Sequence, residues 1–156
     1  MTEFLLAEIG RREVADHYET RDSYVLSAGI ALGLISLGRG SDVGLSDLNM
    51  EDRLHQFMTG GKYQSGANPV STKCSRLKEG RNINIQMTAP GATLALGFMF
   101  MKTNSTSVAA RLAIPDTLFL LDYVKPDLML LRVLAKNLVL WDSIQPSIDW
   151  VSSQLP

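Results

Sequence analysis

The chain is poor in the residues that do chemistry. Its 156 residues include one cysteine, Cys74, and two histidines, His17 and His55. A single cysteine excludes an internal disulfide and suits a reducing compartment. A cysteine nucleophile needs an adjacent base, and nothing in the spacing brings either histidine to Cys74. Lys73 and Arg76 beside it favour the thiolate, so an enzyme using Cys74 stands as the alternative from another functional class. One cysteine and two distant histidines do not have the ligand spacing of a metal site. Excess charge is also lacking: Lys and Arg total 15, Asp and Glu 16, for a net charge of −1. That gives no electrostatic case for nucleic acid or an anionic membrane. The longest uncharged apolar stretch, Tyr24–Leu37, has 14 residues, where a membrane span takes about 20. Glu3 and Glu8 stand where a secretory leader would have a basic region and an unbroken apolar run. Gly38-Arg39-Gly40 through Gly44 lacks the G-x-G-x-x-G spacing and the P-loop lysine, and follows a helix rather than a strand. The expectation is therefore no catalytic, cofactor-binding or metal-binding residue, and no small-molecule ligand.

What the chain does have is small residues at helical spacing. In Tyr24–Gly40, Ser27 and Ala31 are four apart, as are Gly29 and Gly33. Residues four apart share a helix face. A glycine inside a helix costs about 1 kcal/mol relative to alanine, so two of them imply neighbours that approach the backbone closely. The pattern returns: Ala31-Leu32-Gly33-Leu34-Ile35 matches Ala95-Leu96-Gly97-Phe98-Met99 at an offset of 64 residues, which also sets Ser27 on Gly91 and Gly29 on Thr93. Two copies of a small-residue helix indicate a repeat protein. Repeat units of this sort run about 20–45 residues, so the offset implies one unit plus an insertion, or two short units. The residues expected to carry helix packing are Gly29, Gly33, Gly91, Gly97, Ala31 and Ala95.

In chain order, residues 3–9 read as the end of a helix with Phe4, Leu5 and Ile9 on one face and Gly10 as its stop. Residues 11–21 read as a charged linker. Asp22 or Ser23 caps the small-residue helix, and Gly38 and Gly40 end it. Asn49 caps a short amphipathic helix bearing Leu54, Phe57 and Met58, paired with the helix before it and stopped by Gly60-Gly61. Lys62 to Arg81, with Gly66, Asn68, Pro69, five basic residues and one acid, reads as a surface loop. The alternation of Ile83, Ile85 and Met87 predicts a strand over 82–88 that pairs with 71–77 as a hairpin. Pro90 then falls in the first turn of the second small-residue helix. Asn104 or Ser105 caps a partner helix with Val108, Ala109 and Leu112. Residues 116–124 form a further short helix, and Pro126-Asp127 opens a long one, apolar on nearly every side except at Arg132 and Lys136. Such a helix is buried in a larger assembly. Ile148, Trp150 and Val151 form a closing patch. The methionines Met87, Met99, Met101 and Met129 fill the core.

These residues resemble a known family. Ser23 to Gly38 looks like a proteasome/cyclosome repeat, a unit found in two large proteasome regulatory subunits and in the largest subunit of the anaphase-promoting complex. Ile83–Gly97, Ile114–Asp127 and Leu128–Ile144 resemble that last subunit specifically, in order and over most of the chain. The resemblance implies an all-α fold: helical hairpins forming part of an α/α toroid of two concentric rings, here with a small β-hairpin insertion. Repeat cores are expected at about 23–61 and 89–113, the insertion at 62–88 and C-terminal helices at 116–156. It implies a non-catalytic scaffold in a cell-cycle ubiquitin ligase, partnered by the other subunits of that complex, in nucleus and cytoplasm. A proteasome regulatory subunit is the nearer alternative; the 62–88 insertion and the Pro-Asp segment count against it. Two repeat cores are too few to close a ring, so the expectation is a piece of a longer subunit.

Overall fold

The computed structural model describes residues 1–11, 18–42, 49–61, 82–121, 124 and 126–154. These residues are mostly helical: α1 Thr2–Ile9, α2 Tyr18–Ile35, α3 Met50–Thr59, α4 Ile85–Met99, α5 Thr106–Leu112, α6 Leu118–Leu121, α7 Pro126–Val139 and α8 Ile148–Ser152, with a 3₁₀ turn at Trp141–Ser143. None of these helices is long and apolar enough to cross a membrane.

The central helix is α4. It lies between α2 and α7, and α3 packs on it from a third side. Nearly every residue from Met87 to Gly97 is buried. α1 packs on α2, and α5 on α7. The expected pairing of α3 with the helix before it is thus corrected: α3 turns its Leu54–Phe57–Met58 face to α4. The buried Thr88 hydroxyl of α4 donates to the Phe57 carbonyl at 2.6 Å and fixes that contact.

α1 ends at Gly10 as the sequence indicates, but Leu6, not Phe4, joins Ile9 in the core; Phe4 is 56% exposed. α2 starts earlier than expected, so 18–21 are helix rather than linker, and Asp22 and Ser23 lie inside it. Charge does not prevent this, because Arg21 folds inward and donates to the Arg11 carbonyl at 2.7 Å. The inward face of α2 is Val25, Ala28, Gly29, Leu32, Gly33 and Ser36, at the i, i+3, i+4 spacing of a single stripe. Its exit is tied to α4: Gly38 and Gly40, both at positive φ, donate to the Phe98 and Met99 carbonyls at 3.0 and 2.8 Å.

The expected strand over 82–88 is corrected too. Ile85 to Thr88 are the opening of α4, because the Asn84 side chain accepts from the Gln86 N–H at 3.2 Å and so starts a helix there. Pro90 is consequently the sixth residue of α4 rather than part of its first turn. The carbonyl it leaves without a helical partner is that of Gln86, an exposed residue. The described residues form no strand; 71–77, the other arm of the expected hairpin, lies outside them.

α5 follows an N-cap at Ser105, whose hydroxyl accepts from Val108 N–H, and α7 opens at Pro126 as the sequence indicates. The faces of α7 differ from expectation. Arg132 is buried and donates to the Ala113 carbonyl at 3.1 Å, while Leu130 is 70% exposed and Leu134 is also exposed. The terminal patch is not closed either: Ile148 is 84% exposed and Val151 lies outward as well.

Candidate functional site: the helix seams

Two seams join the row α2–α4–α7, and both are made by glycine. At the first, a Cβ placed on Gly29 would collide with the Gly91 backbone. One on Gly91 would sit 2.7 Å from the Val25 carbonyl oxygen. One on Gly33 would sit 2.8 Å from Phe98 Cβ and 3.1 Å from Ala95 Cα. At the second seam, a Cβ on Gly97 would lie 2.8 Å from Ala135 Cβ and 2.9 Å from its Cα. These obstacles are backbone or the first atom of a side chain, so rotamer changes cannot relieve them. Gly91 opens toward α2 and Gly97 toward α7, so one helix is approached closely on two sides.

Five of the six residues singled out in the sequence therefore meet at these seams: Gly29, Gly33, Gly91 and Ala95 at the first, Gly97 at the second. Ala95 is fully buried. Ala31 is not brought to either seam; it is half-buried on the outer side of α2. The partners Phe98 and Ala135 escaped the sequence reading. Ala135 had a signal. Ile30-Ala31-Leu32-Gly33 and Leu94-Ala95-Leu96-Gly97 have a third, degenerate copy in Leu134-Ala135-Lys136-Asn137. Lysine and asparagine at its last two places hide it from a search for small residues. Superposed on one register, the alanine of each later helix sits on the glycine of the helix before it: Ala95 on Gly33, Ala135 on Gly97.

The outer helices are linked by charge. Arg111 of α5 reaches Glu51 at 3.3 Å and Asp52 at 2.6 Å, both in the first turn of α3. Hydrogen bonds from Arg111 and then Asn49 hold the exposed Asp52 carboxyl below its ordinary range. His55, one turn on, is held below its ordinary value chiefly by burial, with the Arg111 and Arg132 cations adding to it. Burial also lowers Arg132. Among the described residues no three His, Cys, Asp or Glu side chains gather as metal ligands. Cys74, His17 and the whole 62–81 segment lie outside the described residues. What this arrangement does is mechanical: it fixes the spacing and register of a row of helices and leaves apolar faces at its edges.

Comparison with known proteins bears on whose row this is. The family described as the APC1 fifth domain matches residues 1–156, the whole chain. Anaphase-promoting complex subunit 1 of Homo sapiens and that of Mus musculus are each 48% identical to it, over 99% of this chain and 8% of their own length. A protein of Emericella nidulans named "Negative regulator of mitosis" is 38% identical, over 100% of this chain and 7% of its own. The chain thus spans less than a tenth of the length of these relatives.

Proposed function

The chain belongs to the APC1 fifth-domain family, and from this we propose that it is a non-catalytic scaffold segment of an anaphase-promoting complex subunit, a cell-cycle ubiquitin ligase component acting in mitosis. In this reading it orders neighbouring subunits for the ubiquitination of mitotic regulators, works in nucleus and cytoplasm, and takes no cofactor. The glycine-seamed row α2–α4–α7 forms part of a larger α/α toroid of helical hairpins. The observation that carries the reading is the way the molecule uses its core. α4 spends its length on helix contact, and exposed leucines remain at both edges of the row, Leu34 on α2 and Leu130 on α7. A repeat unit that cannot cover its own apolar faces is stabilised by stacking and presents extended surfaces to partners. The family match across the whole chain favours this complex over the proteasome regulatory particle.

The test replaces Gly33 and Gly97 by leucine in the full-length subunit and purifies the complex through another subunit. The expected result is a complex that loses neighbouring subunits, or fails to form, with ubiquitin transfer to a mitotic substrate falling in proportion to the loss. A complete complex with unchanged composition and activity would overturn the scaffold role. Retained assembly with activity abolished by Cys74→Ser would favour the cysteine enzyme instead.

A further inference from the structure

The last carbonyls of a helix have no partner within it. In this row a neighbouring turn supplies one. Gly38 and Gly40, in the turn after α2, donate to the Phe98 and Met99 carbonyls at 3.0 and 2.8 Å, and these are the last two residues of α4. The turn after α4 repeats the arrangement. Lys102 and Asn104 donate to the Leu138 and Val139 carbonyls at 2.9 and 3.0 Å, the last two residues of α7. The two pairs of donors stand at the same 64-residue offset as the small-residue copies. Each pair is a backbone clip that holds one helix end in register with the next.

The two clips are built differently. All four donors have left-handed backbone, with φ of 66° and 58° at Gly38 and Gly40, and 60° and 54° at Lys102 and Asn104. Glycine takes that conformation without steric cost. A residue with a side chain takes it against a penalty, smaller for asparagine than for lysine. Asn104 brings a fastener that glycine lacks: its side-chain amide donates to Asp142 Oδ2 at 2.7 Å, in the 3₁₀ turn after α7. That bond is exposed, so water competes for it. The seams differ in the same sense. Among the described glycines, Gly29, Gly33 and Gly91 close the α2–α4 seam, while Gly97 alone closes the α4–α7 seam. α5 packs on α7, and Arg111 ties it to α3 by ion pairs that are partly in solvent. Such pairs hold weakly.

We propose that the 102–104 clip is a releasable strap and that the α4–α7 junction is the hinge of the row, while the α2–α4 junction is rigid. When the strap opens, Lys102 leaves the left-handed region and the Asn104–Asp142 bond parts. α5 and α7 then swing as one body about the contact of Gly97 with Ala135. This follows from backbone geometry and stands or falls independently of the scaffold role.

The test uses the purified complex that holds the full-length subunit. Hydrogen exchange is read at single amides by fragmentation in the mass spectrometer, corrected for the intrinsic rate of each residue. The Lys102 and Asn104 amides should exchange on the order of tenfold faster than those of Gly38 and Gly40, the equivalent of one left-handed residue that carries a side chain. Lys102→Gly should slow exchange at Asn104 severalfold, because the penalty removed exceeds the freedom that glycine adds to the open turn. Asp142→Ala should speed exchange at both strap amides and spare Gly38 and Gly40. Asp142→Asn, which keeps an acceptor for the Asn104 amide, should restore the parent rates. Lys102 and Asp142 are both exposed, so neither change threatens the fold. In Asp142→Ala the interior amides of α7 should keep their parent rates, since a hinge moves a helix without melting it. Equal protection at the two clips overturns the proposal. So does an unchanged Asn104 rate in Lys102→Gly, or an Asp142→Ala variant in which Gly38, Gly40 or the interior of α7 speeds up with the strap.

Discussion

At the residue scale, the molecule turns on the absence of a single carbon atom. Alanine is the better helix former by about 1 kcal/mol, so incidental glycines at 33 and 97 would make Gly→Ala stabilising. Both positions instead face backbone or Cβ atoms within 3.1 Å of where the new methyl would lie. Overpacking a core costs typically about 1–3 kcal/mol, which exceeds the gain. Gly33→Ala and Gly97→Ala should therefore each destabilise, read as lost amide protection in α4 by hydrogen exchange on the full-length protein; Glu3→Ala, on the exposed side of α1, should leave it unchanged. The second seam permits a stricter test, because its obstacle is itself an alanine methyl. Ala135→Gly should recover part of what Gly97→Ala loses. The coupling between contacting positions is on the order of 0.5–3 kcal/mol. Strict additivity would mean that Ala135 is not what Gly97 makes room for. That glycines matter here is readable from the sequence, since glycine within an uncharged helix is a cost that packing must offset. Which atoms they admit is not, because Phe98 and Ala135 are set by helices distant in the chain.

At the element scale, the starts and stops written in the sequence are those of the fold where chemistry dictates them: Gly10, Gly60-Gly61 and Pro126 stand at helix ends, and Ser105 caps α5. The failures share one cause. Ile83, Ile85 and Met87 alternate as a strand would, yet a single side-chain bond from Asn84 commits the segment to helix. Arg132 reads as a solvent marker, yet the Ala113 carbonyl takes its guanidinium inside. In each, one specific hydrogen bond, local at Asn84 and tertiary at Arg132, outweighs the apolar pattern. The α3–α5 link is equally non-local and gives a pH signature. The fold holds the Asp52 carboxyl below its ordinary value. Its contribution to stability is thus present above that value and is lost as pH falls through the lower folded one. His55 is lowered from 6.5. Its neutral form is favoured in the fold, so acidification below about 6.5 weakens the structure while the unfolded chain takes up the proton. Melting temperature against pH should fall in two windows. His55→Gln should flatten the upper window and Asp52→Asn the lower. Because the Asp52 carboxyl is exposed, its window should shrink further in high salt. A second link offers a sharper handle. Thr88→Val removes the hydroxyl that joins α4 to the Phe57 carbonyl while keeping the shape. A buried hydrogen bond lost from one side costs about 1–3 kcal/mol, so α3 amides should lose protection before those of α7.

At the scale of the whole molecule, the row is complete in neither direction, but the two edges are unfinished in different ways. On α7 Asn137 is bonded to Gln154, and Leu130 and Leu134 stay exposed, as does Ile148 of α8. On α2 the open surface is Tyr24 and Leu34 around Ala31, with Leu37 at its end. Exposed apolar patches of more than a few hundred Å² are uncommon on monomers and mark interaction sites. The 156 residues taken alone should therefore self-associate. The α2 edge should be the stronger contributor, because Tyr24, Leu34, Ile35 and Leu37 are exposed along it, against Leu130 and Leu134 on α7. Sedimentation velocity on the isolated chain separates these contributions. Leu34→Glu should shift it toward monomer, Leu130→Glu should do so less, and the two together should go furthest. Both side chains already lie in solvent, 54% and 70% exposed, and surface changes of this kind alter stability by about 0.5 kcal/mol or less. A loss of fold therefore does not explain a change in mass. If the parent chain sediments as a compact monomer at high concentration, the edges are ordinary surface and the row needs no continuation. If it associates but Leu34→Glu leaves the association unchanged, the attraction lies elsewhere, and the special standing of the α2 face is lost with it.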